Sequence, residues 1–466
     1  MRQFTKELVK KFVASPARLG LDPKMASAAE FFTSSKSALA GRHNAAMSAV
    51  ALPLDPAREK LLLIVLAGIQ FAHIVDFMIM MPLGPILMRE FGIDAQQFGL
   101  LVSAYTFTAG AAGVLAAMIV DRFERKRLLL TIFALFALAT LFCGLAPGYV
   151  TLLAARSFAG AFGGVLGSMV HTIVGDVIPF ERRGRAAGVV MSAFSLSTVA
   201  GVPTSLFLAN HFGWRSPFFL IAGLALVLLL VGLAQLPALR GHLPAAVIDE
   251  EERAHPLAAM RDVLCNANHL RALAFMALMM LAGFTVIPYI TIYATANVGI
   301  RQEDIPLMYL AGGCATFFTA RWIGRLADRH GKVRVFRIVS LAALVPLFVQ
   351  THLPPVPLWL MVACATVFFI LVPGRMVPAM AIITSAVEPR LRGTFMSLNG
   401  AVQNLFSGLA AYLGGLMIAM EDGRLVGYGT VGFLAMGATV LAVLFVDRIR
   451  MEGAVPPAPT STQIVH

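Results

Sequence analysis

Of 466 residues, 58% are hydrophobic and only 13% charged, whereas soluble domains run near half apolar and a quarter charged. That composition cannot clothe soluble domains in a water-facing surface, so a soluble enzyme or binding module is excluded. The net charge of +12 does not imply nucleic acid either, because Lys and Arg recur between long apolar runs rather than forming one basic patch.

Residues 1–59 lack the apolar core and small-residue cleavage site of a secretory signal. With ten Lys/Arg through Lys60 among scattered Ser, Ala and Pro, they predict a poorly ordered cytosolic arm. Apolar runs then predict spans near 61–86, 96–119, 128–146, 149–174, 186–209, 217–237, 270–295, 305–324, 335–351, 356–380, 393–418 and 426–446, each long enough to cross a bilayer core. The expected fold class is an all-α membrane protein of twelve transmembrane helices in two pseudo-symmetric six-helix bundles, 60–237 and 270–448. A cytosolic connection at 238–269 joins them, and 449–466 is a cytosolic tail.

Basic residues set the orientation. With the N-terminus inside, 30 of the 37 Lys/Arg are cytosolic, and the outer loops hold one each, Arg89, Arg215, Arg301 and Arg424. Both termini are then cytosolic. Internal repetition supports the two halves: DRFERKR at 121–127 returns as DRHGKVR at 328–334, and Arg183-Gly184 returns as Arg392-Gly393, with nearly equal offsets. Such spacing is that of parallel repeats.

Within the spans, Asp76 draws the most weight. Of 25 acidic residues it is the one expected near the middle of a span, and such residues usually face a cavity and serve coupling. Arg156, some seven residues inside the fourth span, needs a partner or a wet cavity. Counting rise per residue puts Asp76 and Arg156 at compatible depths, so an Asp76–Arg156 pair is expected, either as a proton-coupling device or as a purely structural clasp. His73 lies one turn before Asp76 on the same face. Arg375, between Pro373 and Pro378 in the tenth span, either holds an anionic substrate group or caps broken backbone carbonyls. His171 is read as an interior hydrogen-bonded histidine and Arg321 as a snorkelling side chain. Cys143, Cys265, Cys314 and Cys364 have neither disulfide nor metal spacing and read as small core residues. No phosphate-binding loop or clustered metal-ligand spacing occurs, so no cofactor or metal is expected.

The loop AMIVDRFERK and its second copy GRLADRHGKV resemble the G-x-x-x-D-R-x-G-R-[KR] signature of the major facilitator superfamily. In the first copy Ala117 and Glu124 replace the two glycines. LLAARSFAGAFGG around Arg156 and Gly160, and STVAGVPTS with Gly201 and Pro203, resemble its drug:proton antiporter and arabinose-efflux-like branch, although Thr204 and Ser205 stand where glycines are usual. The resemblance covers about residues 60–448. It implies a conformational latch at Asp121, Arg122, Arg125 and Asp176, echoed by Asp328, Arg329 and Lys332; the alternative is simple topological anchoring. It implies helix packing at Gly160, Gly201 and Pro203, and a central cavity lined by spans one, four, seven and ten. The function expected is proton-coupled efflux of a small organic or drug-like molecule from a monomer in the cell inner membrane, with small-molecule substrate, protons and lipid bilayer as partners and no nucleic acid. Sugar or metabolite export, proton symport, and a non-transporting membrane sensor are the alternatives.

Overall fold

The computed structural model describes residues 56–119, 123–178, 180–236, 256–388 and 391–451. Nearly all of the N-terminal arm, much of the inter-bundle connection, most of the tail, and the latch positions Asp121 and Arg122 lie outside the described residues. The helices α1 (Pro56–Ile79), α2 (Ala95–Ile119), α3 (Arg125–Leu145), α4 (Tyr149–Val177), α5 (Phe180–Leu196, Ser197–Gly201 and Val202–Phe212) and α6 (Ser216–Gln235) form the first bundle. The second contains α7 (Ala267–Phe284 and its extension to Val298), α8 (Ile305–His330), α9 (Lys332–Ala342 and Leu344–His352), α10 (Leu358–Gly374 and Met376–Ser385), α11 (Arg392–Leu416) and α12 (Tyr428–Phe445).

Ten of these helices are long and apolar enough to cross a membrane on that ground alone. The other two, α8 and α11, are 26 and 25 residues long, ample for a span, but carry Arg321, Arg325, Asp328 and Arg329 or Asn399, Gln403 and Asn404. Their polar faces meet protein, so hydropathy alone understates them.

Local chemistry sets the helix ends. Pro217 and Pro306 occupy first turns, where a missing N–H costs nothing. Asn266 caps α7 by accepting from the Asn268 and His269 N–H groups at 2.8 and 3.4 Å. In α10, Pro373 leaves the Phe369 carbonyl without its helical donor; the Thr316 hydroxyl of α8 reaches that carbonyl at 3.1 Å, as expected where a proline breaks a buried helix. In α5 the π turn Ser197–Gly201 precedes Pro203 and lets the backbone absorb the proline ring.

The repeat is visible in the packing. The contacts α2–α4, α1–α5 and α3–α6 of the first bundle return as α8–α10, α7–α11 and α9–α12 in the second. Between bundles, α2 packs on α11 and α5 on α8. A Cβ on Gly99 would meet Ala411 O at 2.9 Å, one on Gly415 would meet Ala95 O at 2.9 Å, and one on Gly313 would meet Thr198 O at 2.8 Å. These approaches, with the Ser103 hydroxyl donating to Gly408 O at 2.8 Å and Asn210 to Gln302 O at 3.1 Å, occupy the halves of the helices distal to the chain termini. Toward the terminal end, Gly113, Gly393 and Gly400 face open space. The bundles are closed distally and parted at the terminal end.

Several details differ from the sequence reading. The first span ends at Ile79, and the chain turns through Met80–Leu83 into a separate helix, Gly84–Phe91, so Asp76 sits one turn from a helix end rather than mid-helix. Part of the 238–269 connection is the helix Pro256–Cys265. The fold also contains one antiparallel pair, β1 (Ala419–Glu421) and β2 (Arg424–Val426), turned at Asp422-Gly423, both with positive φ. Asp-Gly is a favoured sequence for that turn. Cys143 is buried as expected, whereas Cys265 is exposed and Cys314 and Cys364 are half-buried, because the outer surface of this chain is itself apolar.

Candidate functional site

The chemistry concentrates where α1, α2, α3 and α4 converge. Arg156 Nη1 donates to Asp76 Oδ2 at 2.8 Å and to the Asp76 carbonyl at 3.2 Å, and both side chains are 0% exposed. The second carboxylate oxygen accepts from the Thr140 hydroxyl of α3 at 3.4 Å. The guanidinium lies over the Tyr105 ring of α2, 4.5 Å from its centroid, within cation–π range. Phe77 packs on the other side of that tyrosine, 5.4 Å away. Asp76 and Arg156 therefore neutralise one another inside a dry aromatic and aliphatic wall. Arg156 Nε and Nη2 and the Tyr105 hydroxyl are buried with no hydrogen-bond partner.

Glycines of α4 make this convergence possible. A Cβ on Gly160 would stand 2.2 Å from Tyr105 O, one on Gly164 2.4 Å from Ala109 O, and one on Gly163 2.3 Å from the Tyr105 hydroxyl. With any side chain there, α2 could not lie close enough to slide Tyr105 beneath Arg156. Gly167 continues the stripe, with His73 Nε2 3.1 Å from its would-be Cβ. His73 makes no hydrogen bond to Asp76; its Nδ1 is buried and unpartnered. Gly201 admits Val75 of α1 in the same way, its added Cβ falling 2.3 Å from Val75 Cγ2.

Arg375 is placed apart, in the second bundle. It is 1% exposed, sits at the interruption of α10, and donates from Nη1 to the Thr439 hydroxyl of α12 at 2.7 Å. The carbonyl-capping alternative finds no support: its guanidinium bonds no carbonyl, and Thr316 reaches the carbonyl that Pro373 frees.

At the terminal end, Arg125 Nε of α3 pairs with Asp176 Oδ2 of α4 at 2.9 Å. Offset by the repeat length, Lys332 Nζ of α9 donates to Ser385 Oγ of α10 at 2.9 Å. Asp328 and Arg329 are exposed at the end of α8 and form no ion pair. Arg125–Asp176, Arg182–Glu59 and Arg337–Asp447 each stay within one bundle. His171 is exposed and makes no hydrogen bond, contrary to the interior reading. Arg321 is exposed and stacks on Phe317 at 4.0 Å. Tyr105 and Thr140 escaped the sequence reading, since an aromatic or a threonine inside an apolar helix carries no signal until its partner is placed.

Among the described residues no cluster of metal-ligating side chains occurs. The chain matches the Major Facilitator Superfamily over residues 66–374 and again over 272–464. It is 25% identical over 388 residues to the uncharacterized MFS-type transporter YtbD of Bacillus subtilis, covering 81% of this chain and 93% of that one. A probable sugar efflux transporter of Helicobacter pylori is 26% identical over 245 residues, 52% of this chain and 60% of that one. The crystal structure of a D-xylose-proton symporter superposes with a TM-score of 0.70 at 16% identity, covering 86% of this chain and all of the other.

Proposed function

The chain belongs to the Major Facilitator Superfamily, whose members are transporters rather than enzymes, and from that premise we propose that it exports a small organic molecule against its gradient in exchange for protons, by alternating access. The observation that carries this reading is the Asp76–Arg156 pair, wholly withdrawn from solvent at the meeting of four helices. Protonating Asp76 cancels its charge and with it the attraction for Arg156. Arg156 already has two donor nitrogens without acceptors, so a released guanidinium can turn elsewhere. Proton binding thereby biases how α1 and α4 sit against α2, and a substrate that favours one arrangement is coupled to the proton through that differential affinity.

The direction of access fits the same reading. With both termini cytosolic, as the basic loops suggest, the distally closed arrangement faces inward, ready to receive a cytosolic substrate. An inner-membrane location and a monomer complete the proposal, which places the chain with the antiporter-like branch. Cysteine probes near Arg301 and Arg424, but not near Arg127, are expected to react with an impermeant external reagent; external labelling near Arg127 overturns the orientation.

The coupling reading is tested with Asp76→Asn in proteoliposomes. The expected protein folds, binds and exchanges substrate by counterflow, yet moves nothing uphill when a pH difference is imposed. Full pH-driven transport by the variant refutes the assignment; loss of folding with residual transport still driven by pH identifies a structural clasp. A second reading, sugar export, is favoured by the Helicobacter relative. Its test is whether radiolabelled sugars are extruded from cells carrying the chain.

A further inference from the structure

Arg375 is a buried cation with no anion. Its guanidinium touches one neutral hydroxyl, Thr439, through Nη1, while Nε is buried and unpartnered and Nη2 forms no hydrogen bond. No carboxylate pairs with it. The vacant Nε–Nη2 edge is the pair of parallel donors that grips the two oxygens of one carboxylate. Across from it, α7 presents Gly283, whose would-be Cβ lies 3.9 Å from Nη2, so no side chain of that position covers the edge.

A second feature points into the same region. Asn399, Gln403 and Ser407 lie four residues apart on α11, on one helix face. Gln403 donates only to the Met380 sulfur of α10, at 3.6 Å, and Ser407 only to the Met280 sulfur of α7, at 3.2 Å. Asn399 is 1% exposed with its carbonyl oxygen unpartnered. Thioether sulfur is a weak acceptor, so these polar groups surrender little when a better partner arrives. Around them Met276, Met279, Met376 and Met396 offer flexible, polarizable surface.

We propose that the second bundle binds the substrate's charged end: Arg375 pairs with a carboxylate, the α11 stripe supplies hydrogen bonds, and the methionines hold an apolar body. The substrate class is an amphipathic organic acid. This deepens the transport reading and rests on it, but the site is tested by equilibrium binding, with no gradient, so its failure is separable from failure of proton coupling at Asp76. The probes are 2-naphthoate, its neutral amide 2-naphthamide, and 2-naphthylmethylammonium, added to the purified full chain in detergent and followed by thermal shift and isothermal titration. The expected result is saturable stabilisation by naphthoate alone, retained in Asp76→Asn and weakened at least about tenfold in Arg375→Gln, the loss of a charge-assisted hydrogen-bonded pair. If Arg375→Gln does not fold, Arg375→Lys decides: it keeps the charge without the fork and is expected to weaken naphthoate by a similar factor. Equal binding of acid and amide, undiminished binding by whichever of these Arg375 variants folds, or binding by none of the three probes overturns the proposal.

Discussion

The two bundles share a scaffold and differ in how they handle charge. In the first, Arg156 is buried against Asp76 at 2.8 Å; in the second, Arg375 is buried against a threonine hydroxyl. The same contrast recurs at the terminal end, where Arg125 meets Asp176 and the repeat-related Lys332 meets Ser385. Twice the first bundle keeps a full ion pair where the second keeps a cation and a hydroxyl. A hydroxyl cannot neutralise a cation, so the second bundle retains positive charge that the first has cancelled. Under the proposed cycle, the first bundle then supplies proton exchange and the second supplies attraction for an anion.

The largest effects break this contrast at the buried arginines. Arg156→Leu strands the Asp76 carboxylate, and removing one partner of a buried pair costs about 3–5 kcal/mol. Arg375→Leu strands nothing, since no anion faces Arg375, and relieves an uncompensated buried charge; its stability is expected to equal or exceed that of the parent. Chemical denaturation in mild detergent measures both. Comparable losses in the two variants would show that Arg375 is as structurally paired as Arg156. The double variant Asp76→Asn with Arg156→Leu is expected to recover much of the loss.

A smaller effect sharpens the contrast through glycines. Gly160→Ala forces a methyl to within 2.2 Å of the Tyr105 carbonyl oxygen, so α2 must move off α4, costing about 1–3 kcal/mol. Gly283→Ala meets nothing closer than Ile287 Cδ1 at 3.6 Å, and the alanine gains roughly 0.5–1 kcal/mol of helix propensity. Opposite signs in the melting temperatures are expected. A neutral Gly160→Ala would mean that the α2–α4 approach is loose and that Tyr105 is not held beneath Arg156.

How much of this was legible in the sequence depends on which physics sets each feature. Spans follow from hydrocarbon thickness, a one-dimensional quantity, so the helices appear where long apolar runs do. The Asp76–Arg156 meeting followed from depth, because two ionisable groups at equal depth in a bilayer have few other partners. The turn at Met80–Leu83 and the extension of α7 through Ile287–Tyr289 and Ala294–Val298 did not, because buried helices and buried turns are equally apolar. The β1–β2 hairpin had its Asp-Gly signal at 422–423 but lay inside an interval read as the seam of two spans. The absence of a carboxylate at Arg375 was illegible: sequence shows which anions exist, not which are out of reach.

The smallest expected effect asks whether the terminal-end difference is one of chemistry alone. Lys332 stands to Arg125 as Ser385 stands to Asp176, and the two contacts have the same 2.9 Å length. If the backbones match as the side-chain positions do, Ser385→Asp should rebuild in the second bundle the ion pair of the first. The group is partly buried and near the protein surface, so the gain is modest, about 0.3–1 kcal/mol, and is screened as salt rises. A melting temperature raised at low ionic strength, with the increment shrinking at high salt and vanishing in Ser385→Asp combined with Lys332→Gln, is the expected pattern. Replacing Asp176 with Ser is the reciprocal change and should lower stability, by more than Ser385→Asp raises it, because Arg125 is 4% exposed and loses its carboxylate away from water. A Ser385→Asp variant that gains nothing at any salt concentration would show that α9 and α10 hold Lys332 in a geometry a carboxylate cannot meet, and that the two repeats have diverged in backbone as well as in charge.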